Sequence, residues 1–98
     1  MTAFLRVDWS PRAVLALQRR IQFLAKDSPR AANEAYNTII AAGNRLGEFP
    51  NVGRMHRDSR TYRELIVPFG RDGYVILYRP MSDSVRILAI KHMREAGY

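Results

Sequence analysis

Residues 62–95 read YRELIVPFGRDGYVILYRPMSDSVRILAIKHMRE, in which three apolar segments follow one another with short polar breaks between them. The first break contains Asp72-Gly73, a strong hairpin signal, and the second, Pro80–Ser84, is also rich in turn-forming residues. We therefore predict three successive strands, at about 62–68, 74–79 and 85–92. A meander of this size needs a cover for its apolar face.

The first half of the chain supplies two helices for that cover. Ser10-Pro11 and Ser28-Pro29 each combine a capping hydroxyl with a proline at the first helical position, which marks a helix start. Apolar residues at helical spacing predict the two buried stripes, Val14, Leu17, Ile21 and Leu24 in one helix and Ala32, Ala35, Tyr36, Ile39 and Leu46 in the other. The small residues Ala32, Ala35 and Gly43 would let the helices approach closely.

The remaining segments complete a β-α-α-β-β-β order. Residues 3–8 alternate like a strand, and residues 50–61 are a polar, arginine-rich stretch that predicts a loop. The fold class is therefore α+β, with an antiparallel helical hairpin packed on a small, mainly antiparallel sheet. We expect a single domain over residues 1–98.

Two apolar surfaces are left without an obvious cover. The strands are apolar on both faces, and a helical hairpin covers only one of them. Either the loop and the C-terminal residues fold over the second face, or a partner does. Leu15 and Phe23 lie off the buried stripe of the first helix, so they either complete the core or form a groove for a partner helix.

Composition narrows the classes of function. The 98 residues carry a net charge of +7, and 14 of the 16 basic residues are arginine. Such a charge attracts nucleic acid and acidic proteins. With no cysteine, disulfides and thiolate metal sites are excluded. The N-terminus does not read as a signal peptide, and no segment is long and apolar enough to span a membrane, so we expect a cytoplasmic protein without metal or cofactor.

Several segments, taken in order, resemble the RelE/ParE superfamily of toxins from type II toxin–antitoxin systems. Each is weak alone, but together they run nearly end to end. The matching segments are Val7–Ala13, Ser28-Pro29, Phe49-Pro50, Gly53-Arg54, Arg63–Val67, Tyr74–Arg79 and Val85–Glu95. The resemblance implies the fold given above and an antitoxin protein, ParD-like and acidic in its toxin-binding segment, that wraps the toxin in a hetero-oligomeric complex.

The superfamily splits by target. ParE-like members resemble inhibitors of DNA gyrase, and RelE-like members resemble ribonucleases that cut messenger RNA on the ribosome. In the RelE-like pattern, two basic residues alternate on the first strand after the loop, an arginine opens the next, and an arginine and a tyrosine follow the last. Arg63, Arg94 and Tyr98 match this pattern, although Tyr98 does so at a shorter spacing, whereas Leu65 and Val75 replace the other cations.

These departures favour a ParE-like toxin that is not an enzyme. The alternative is a RelE-like nuclease with Arg63, His92, Arg94 and Tyr98 as catalytic residues, and with Glu64 as a further acid–base candidate beside His92. A third possibility is a toxin that has lost its activity and works only in complex with its antitoxin.

The even spacing of Arg86, Leu88, Ile90 and His92 predicts one face that mixes cationic and apolar side chains and suits an acidic, amphipathic antitoxin. The predicted antitoxin-contacting residues are Leu15, Phe23, Arg63, Arg79, Arg86, Leu88, Ile90 and His92. For Glu64 we expect an ion pair with Arg79 or Arg86 across the strands. No motif marks the gyrase-binding surface, for which the candidate residues are Arg57, Arg60 and Arg94.

Overall fold

A computed structural model describes residues 4–98, and its element order confirms the α+β fold. Its elements are β1 (Arg6–Trp9), α1 (Pro11–Ala25), α2 (Pro29–Asn44), a 3₁₀ turn (Arg45–Gly47), β2 (Arg54–Met55), β3 (Arg63–Phe69), β4 (Asp72–Pro80) and β5 (Ser84–His92). The sheet order is β1-β5-β4-β3-β2, in which β1 is parallel to β5 and all other neighbours are antiparallel. The short strand β2 lies within the predicted loop. The first strand begins at Arg6, and the predicted start at Ala3 lies outside the described residues.

Both predicted helix starts are confirmed. The Ser10 and Ser28 hydroxyl oxygens accept hydrogen bonds from the backbone N–H groups of Ala13 (3.1 Å) and Ala31 (3.0 Å). Each bond satisfies an N–H that has no partner within the first helical turn. The Ser10 hydroxyl also donates to the carbonyl oxygen of Leu88, 3.0 Å away, and so fixes the start of α1 against β5.

The predicted buried stripes are right for most of their positions and wrong for one in each helix. Val14 and Tyr36 are 40% and 44% exposed. In α1 the inward position belongs to Ala13, and Val14 lies about 100° further around the helix. Small residues face inward because each helix packs against both its partner helix and the sheet.

Gly43 serves a different contact from the one predicted. A Cβ atom at this position would clash with the ring of Trp9, so the glycine admits β1 rather than α1. The Trp9 Nε1 group donates to the Asn44 side-chain oxygen, 3.1 Å away. Trp9 therefore anchors β1 to the C-terminal end of α2 as part of the core.

A β-bulge in β5 changes which side chains share a face. Leu77 lies opposite Ala89 and Tyr78 lies opposite Ile87, so Leu88 is an extra residue in β5. Beyond it the alternation shifts by one, and both Ile87 and Ile90 reach the helix-covered core. The predicted common face of Arg86 and His92 is therefore wrong. His92 lies beside Tyr74 on the helix side, and Arg86 lies beside Arg79 on the opposite side.

The sheet face turned away from the helices, called the outer face here, is covered by the chain itself. Its central residues Val75 and Ala89 are only 3% and 2% exposed. The C-terminal segment runs back beside α1, where Arg20 pairs with Glu95 and the Arg12 guanidinium donates to the Tyr98 carbonyl oxygen. The Tyr98 side chain reaches across to the outer face, where its hydroxyl donates to Glu64 on β3 at 2.5 Å. The Tyr98 side chain therefore covers part of the second apolar face.

Candidate functional site

The four residues considered for ribonuclease chemistry do not converge. Arg63 is on β3, where it pairs with Tyr78 of β4, and His92 is on β5, where it pairs with Tyr74 of β4. The two positions on β4 are four residues apart, which is about 13 Å along a strand. Arg63 is occupied as well, because its Nη1 group donates to the carbonyl oxygens of Gly53 (2.7 Å) and Asn51 (3.2 Å) and so holds the loop before β2.

His92 and Arg94 are held by local contacts at the end of β5. The His92 ring lies edge-on to the Tyr74 ring, with centroids 5.6 Å apart, and its Nδ1 atom accepts a hydrogen bond from the Arg94 backbone. The Arg94 guanidinium pairs with Asp72 at 3.0 Å. The backbone N–H of His92 donates to the Glu95 carboxylate at 2.8 Å. These contacts leave neither side chain aimed at Arg63 or Tyr98.

Tyr98 instead joins Glu64 in a cluster on the outer face. The Glu64 carboxylate pairs with Arg54 at 3.5 Å, and the predicted pairing with Arg79 or Arg86 is wrong because β2 brings Arg54 alongside. Lys91 lies 5.0 Å from the centre of the Tyr98 ring. An acid, a phenol and two cations are thus grouped here.

The protonation states of this cluster follow from its surroundings. Burial raises the pKa of Glu64, but the Tyr98 hydrogen bond and the positive charge of Arg54 outweigh it, so this pKa is lowered overall. Burial also raises the pKa of Tyr98, and its hydrogen bond to the Glu64 carboxylate raises it further. At neutral pH an ionised Glu64 therefore accepts a hydrogen bond from a protonated Tyr98.

The first helix presents an exposed, mainly apolar stripe. Leu15 and Phe23 are 46% and 63% exposed and lie on one line with Arg19, at intervals of four residues. Two hollows, of about 360 and 320 Å³, lie beside the Phe23 end of this line and share Arg20, Phe23 and Glu95 in their walls, whereas Leu15 lines neither. We call this surface the α1 groove. Leu15 and Phe23 therefore do not complete the core, and Phe23 lines both hollows.

The other predicted antitoxin contacts lie in different surroundings. Ile90 is 4% exposed and contributes to the floor of the smaller hollow, and Leu88 is half-buried at the bulge. Arg79 and Arg86 are exposed on the outer face, directly opposite each other. The structure thus separates Arg79 and Arg86 from the α1 groove.

A second groove was not anticipated from the sequence. It lies between α2 and β3, encloses about 420 Å³, and includes Phe49, Val52 and Ile66, which are 47%, 63% and 37% exposed. We call it the α2–β3 groove. Phe49 and Val52 flank the start of a polar loop, and that apolar pair was the available signal.

The described part of the chain offers little for other classes of site. Over residues 4–98, no group of three or more His, Asp or Glu side chains is placed to hold a metal ion. Neither α1 nor α2 has the length and apolar character required to cross a membrane. Arg57 and Arg60 are exposed in the loop between β2 and β3.

Comparison with known proteins agrees with this fold. Residues 7–97 match the family model described as the ParE toxin of the type II toxin–antitoxin system, parDE. Toxin RelE3 of Caulobacter vibrioides is 37% identical over 89 residues, which cover 91% of this chain and 95% of that protein. Toxin RelE1 of the same organism is 39% identical, covering 85% of this chain and 87% of that protein.

A solved structure shares the architecture. It comes from work on the chromosomal ParDE TA system from P. aeruginosa, with a TM-score of 0.72 and 19% identity, covering 91% of this chain and 96% of that one. At this identity the likeness concerns the fold, and the family assignment rests on the match over residues 7–97. The chain belongs to the ParE toxin family and is the toxin of a type II toxin–antitoxin system.

Proposed function

We propose that this toxin acts by inhibiting DNA gyrase and that it is not a ribonuclease. The observation that carries the proposal is the separation of Arg63, His92 and Arg94, each of which is engaged by its own local partner. Acid–base cleavage of RNA requires a proton acceptor, a proton donor and cations around one phosphate. Two positions that would supply those cations hold apolar side chains, since Leu65 packs against the core and Val75 is buried.

We assign the binding of the antitoxin, which neutralises the toxin, to the α1 groove. Leu15 and Phe23 offer apolar anchors, and the exposed Arg19 between them offers a cation. An amphipathic antitoxin helix with an acidic residue midway between two apolar ones fits this order. Its path would continue past His92, which lines the larger hollow. Leu88 and Arg63, which were also predicted as antitoxin contacts, line neither hollow. Arg79 and Arg86 lie on the other face, out of reach of a helix in this groove.

The test is a supercoiling assay with toxin freed from its antitoxin, relaxed plasmid, ATP and purified gyrase. Loss of supercoiling, or accumulation of cleaved plasmid, is the expected result, and addition of the antitoxin should restore activity. The His92→Ala variant should inhibit as the parent does. Full supercoiling in the presence of excess, folded toxin would contradict the proposal.

A RelE-like nuclease is the second candidate function, and one cluster favours it. An acid, a phenol and two cations lie together on the outer face, namely Glu64, Tyr98, Lys91 and Arg54. In addition, three relatives from C. vibrioides bear RelE names. This reading predicts translation-dependent cuts in messenger RNA soon after induction. It also predicts that Glu64→Gln abolishes them, and intact transcripts during growth arrest would exclude it.

A further inference from the structure

Two arginines on the outer face are placed against each other without an acidic partner. Arg79 on β4 lies directly opposite Arg86 on β5, and both side chains are exposed. Neither takes part in any of the ion pairs found within residues 4–98. Like charges at directly opposed positions of a sheet destabilise it. Anions bound at the two guanidinium groups would remove this repulsion.

The nearby acids leave this pair positive. Asp8 is the β1 neighbour of Arg86, but its carboxylate bonds the Arg6 guanidinium at 3.0 Å. Asp83 lies in the turn between β4 and β5 and makes no ion pair within 4.0 Å with any residue that the structure describes. The two arginines stand on the central strands of the sheet, so their spacing is fixed by backbone pairing.

The loop between β2 and β3 adds further arginines beside Arg79 and Arg86, and we call the four arginines together the cationic row. Arg63 pairs with Tyr78 at the end of the β3–β4 ladder, so the loop that ends at Tyr62 enters the sheet at the end where Arg79 lies. The Tyr62 carbonyl oxygen accepts a hydrogen bond from the His56 backbone, 2.9 Å away, which ties the loop to this end of the sheet. The loop adds the exposed Arg57 and Arg60, together with one acid, Asp58.

The chemistry of the row selects its ligand. A protein partner needs an apolar anchor, but the apolar outer-face residues nearest to the two arginines, Leu77 and Ala89, are half-buried and buried. The exposed Ile66 lies opposite Val75, about 13 Å from Arg79 along β4. A single-stranded nucleic acid needs aromatic rings for stacking, but Tyr98 is held by Glu64 and Tyr62 is half-buried. A duplex backbone needs only cations, and the arginine fork matches a phosphate.

We propose that Arg79 and Arg86 bind the phosphate backbone of duplex DNA, with Arg57 and Arg60 beside neighbouring phosphates. The inference rests on the proposed function, because gyrase holds duplex DNA and a toxin bound to it would meet that DNA. The row and the α1 groove would then serve separate ligands, DNA on the outer face and the antitoxin on α1.

The experiment measures binding of the antitoxin-free toxin to a fluorescent duplex at a series of salt concentrations, without gyrase. The double variant Arg79→Gln/Arg86→Gln should reduce the slope of log K against log salt by about 1.8, since each phosphate contact contributes about 0.9. If the parent and the variant bind equally at 1 M salt, where these contacts contribute nothing, the variant should bind about sixty-fold more weakly at 0.1 M salt. Both replaced side chains are exposed, so a melting temperature equal to that of the parent toxin shows that the double variant is folded.

The matched control is Lys26→Gln/Arg30→Gln, which removes the same charge from two exposed sites, one in the turn before α2 and one in its first turn, where Arg30 pairs with Glu34. It should keep the parent slope. An equal reduction in the control, or an unchanged slope in the Arg79/Arg86 variant, would overturn the site. Tighter binding of a single-stranded RNA of equal length would overturn the duplex assignment. Because gyrase is absent, failure of the supercoiling assay and failure of this site are separate results.

Discussion

Phe23 provides the sharpest test of where the antitoxin binds. Its side chain is 63% exposed in the free toxin, so it adds little to the stability of the fold. An aromatic residue buries about 200 Å² when fully covered, and covering the exposed part at about 25 cal/mol per Å² is worth about 3 kcal/mol. Replacement by alanine should therefore weaken antitoxin binding by up to about 150-fold, since about 1.4 kcal/mol corresponds to a factor of ten.

The measurement is a titration of antitoxin into Phe23→Ala toxin, with Phe49→Ala as the matched control. Phe49 is 47% exposed in the α2–β3 groove, so the same substitution probes a different surface. Both variants should melt close to the parent, and only Phe23→Ala should lose affinity. The reverse pattern, with Phe49→Ala impaired and Phe23→Ala unchanged, would refute the α1 groove and place the antitoxin between α2 and β3.

Other substitutions test single contacts. His92→Ala should leave toxicity in cells intact, because the ring packs on Tyr74 outside any catalytic group; a folded but harmless variant would argue for catalysis. Tyr78→Phe should cost about 1–3 kcal/mol of unfolding free energy, because the buried Gly53 N–H loses its acceptor at 2.8 Å, whereas Tyr36→Phe, at an exposed site, should cost nothing measurable by denaturant titration. Glu64 has a lowered pKa, so its contribution to stability is present at neutral pH and is lost as the pH falls below about 4.5. In a plot of melting temperature against pH, Glu64→Gln should therefore reduce the fall on the acid side. An unchanged fall would show that other carboxylates cause it.

Local chemistry made much of the fold readable from the sequence. The Ser-Pro pairs begin both helices because a hydroxyl cap and a proline act within one turn of chain. The hairpin between β3 and β4 was predicted correctly, but its two turn residues are Gly70 and Arg71, because Phe69 pairs with Asp72 within the ladder. Gly70 has a positive φ of 61°, which glycine adopts readily. The apolar pattern also placed the three long strands within two residues of their observed ends.

The surfaces were harder to predict because they depend on long-range pairing. The extra residue at Leu88 leaves no local mark, since an apolar residue suits either face, yet it moves Arg86 and His92 to opposite sides of the sheet. Likewise, β2 joins the sheet through its pairing with Arg63 and Glu64 rather than through its own strand propensity. The Glu64–Tyr98 contact joins residues that no spacing rule connects.

The parallel pairing of β1 with β5 has a consequence for how the toxin is made. Residues 6–9 find their sheet partners only at residues 84–87, so nearly the whole chain is synthesised before the first strand can be placed. Contacts this distant in sequence form late during folding. In a ribosome-bound fragment that lacks β5, β1 would have no partner and β4 would have only one of its two neighbours, β3. Toxicity should therefore begin at completion of synthesis instead of growing with chain length, which leaves the antitoxin a defined moment at which to bind.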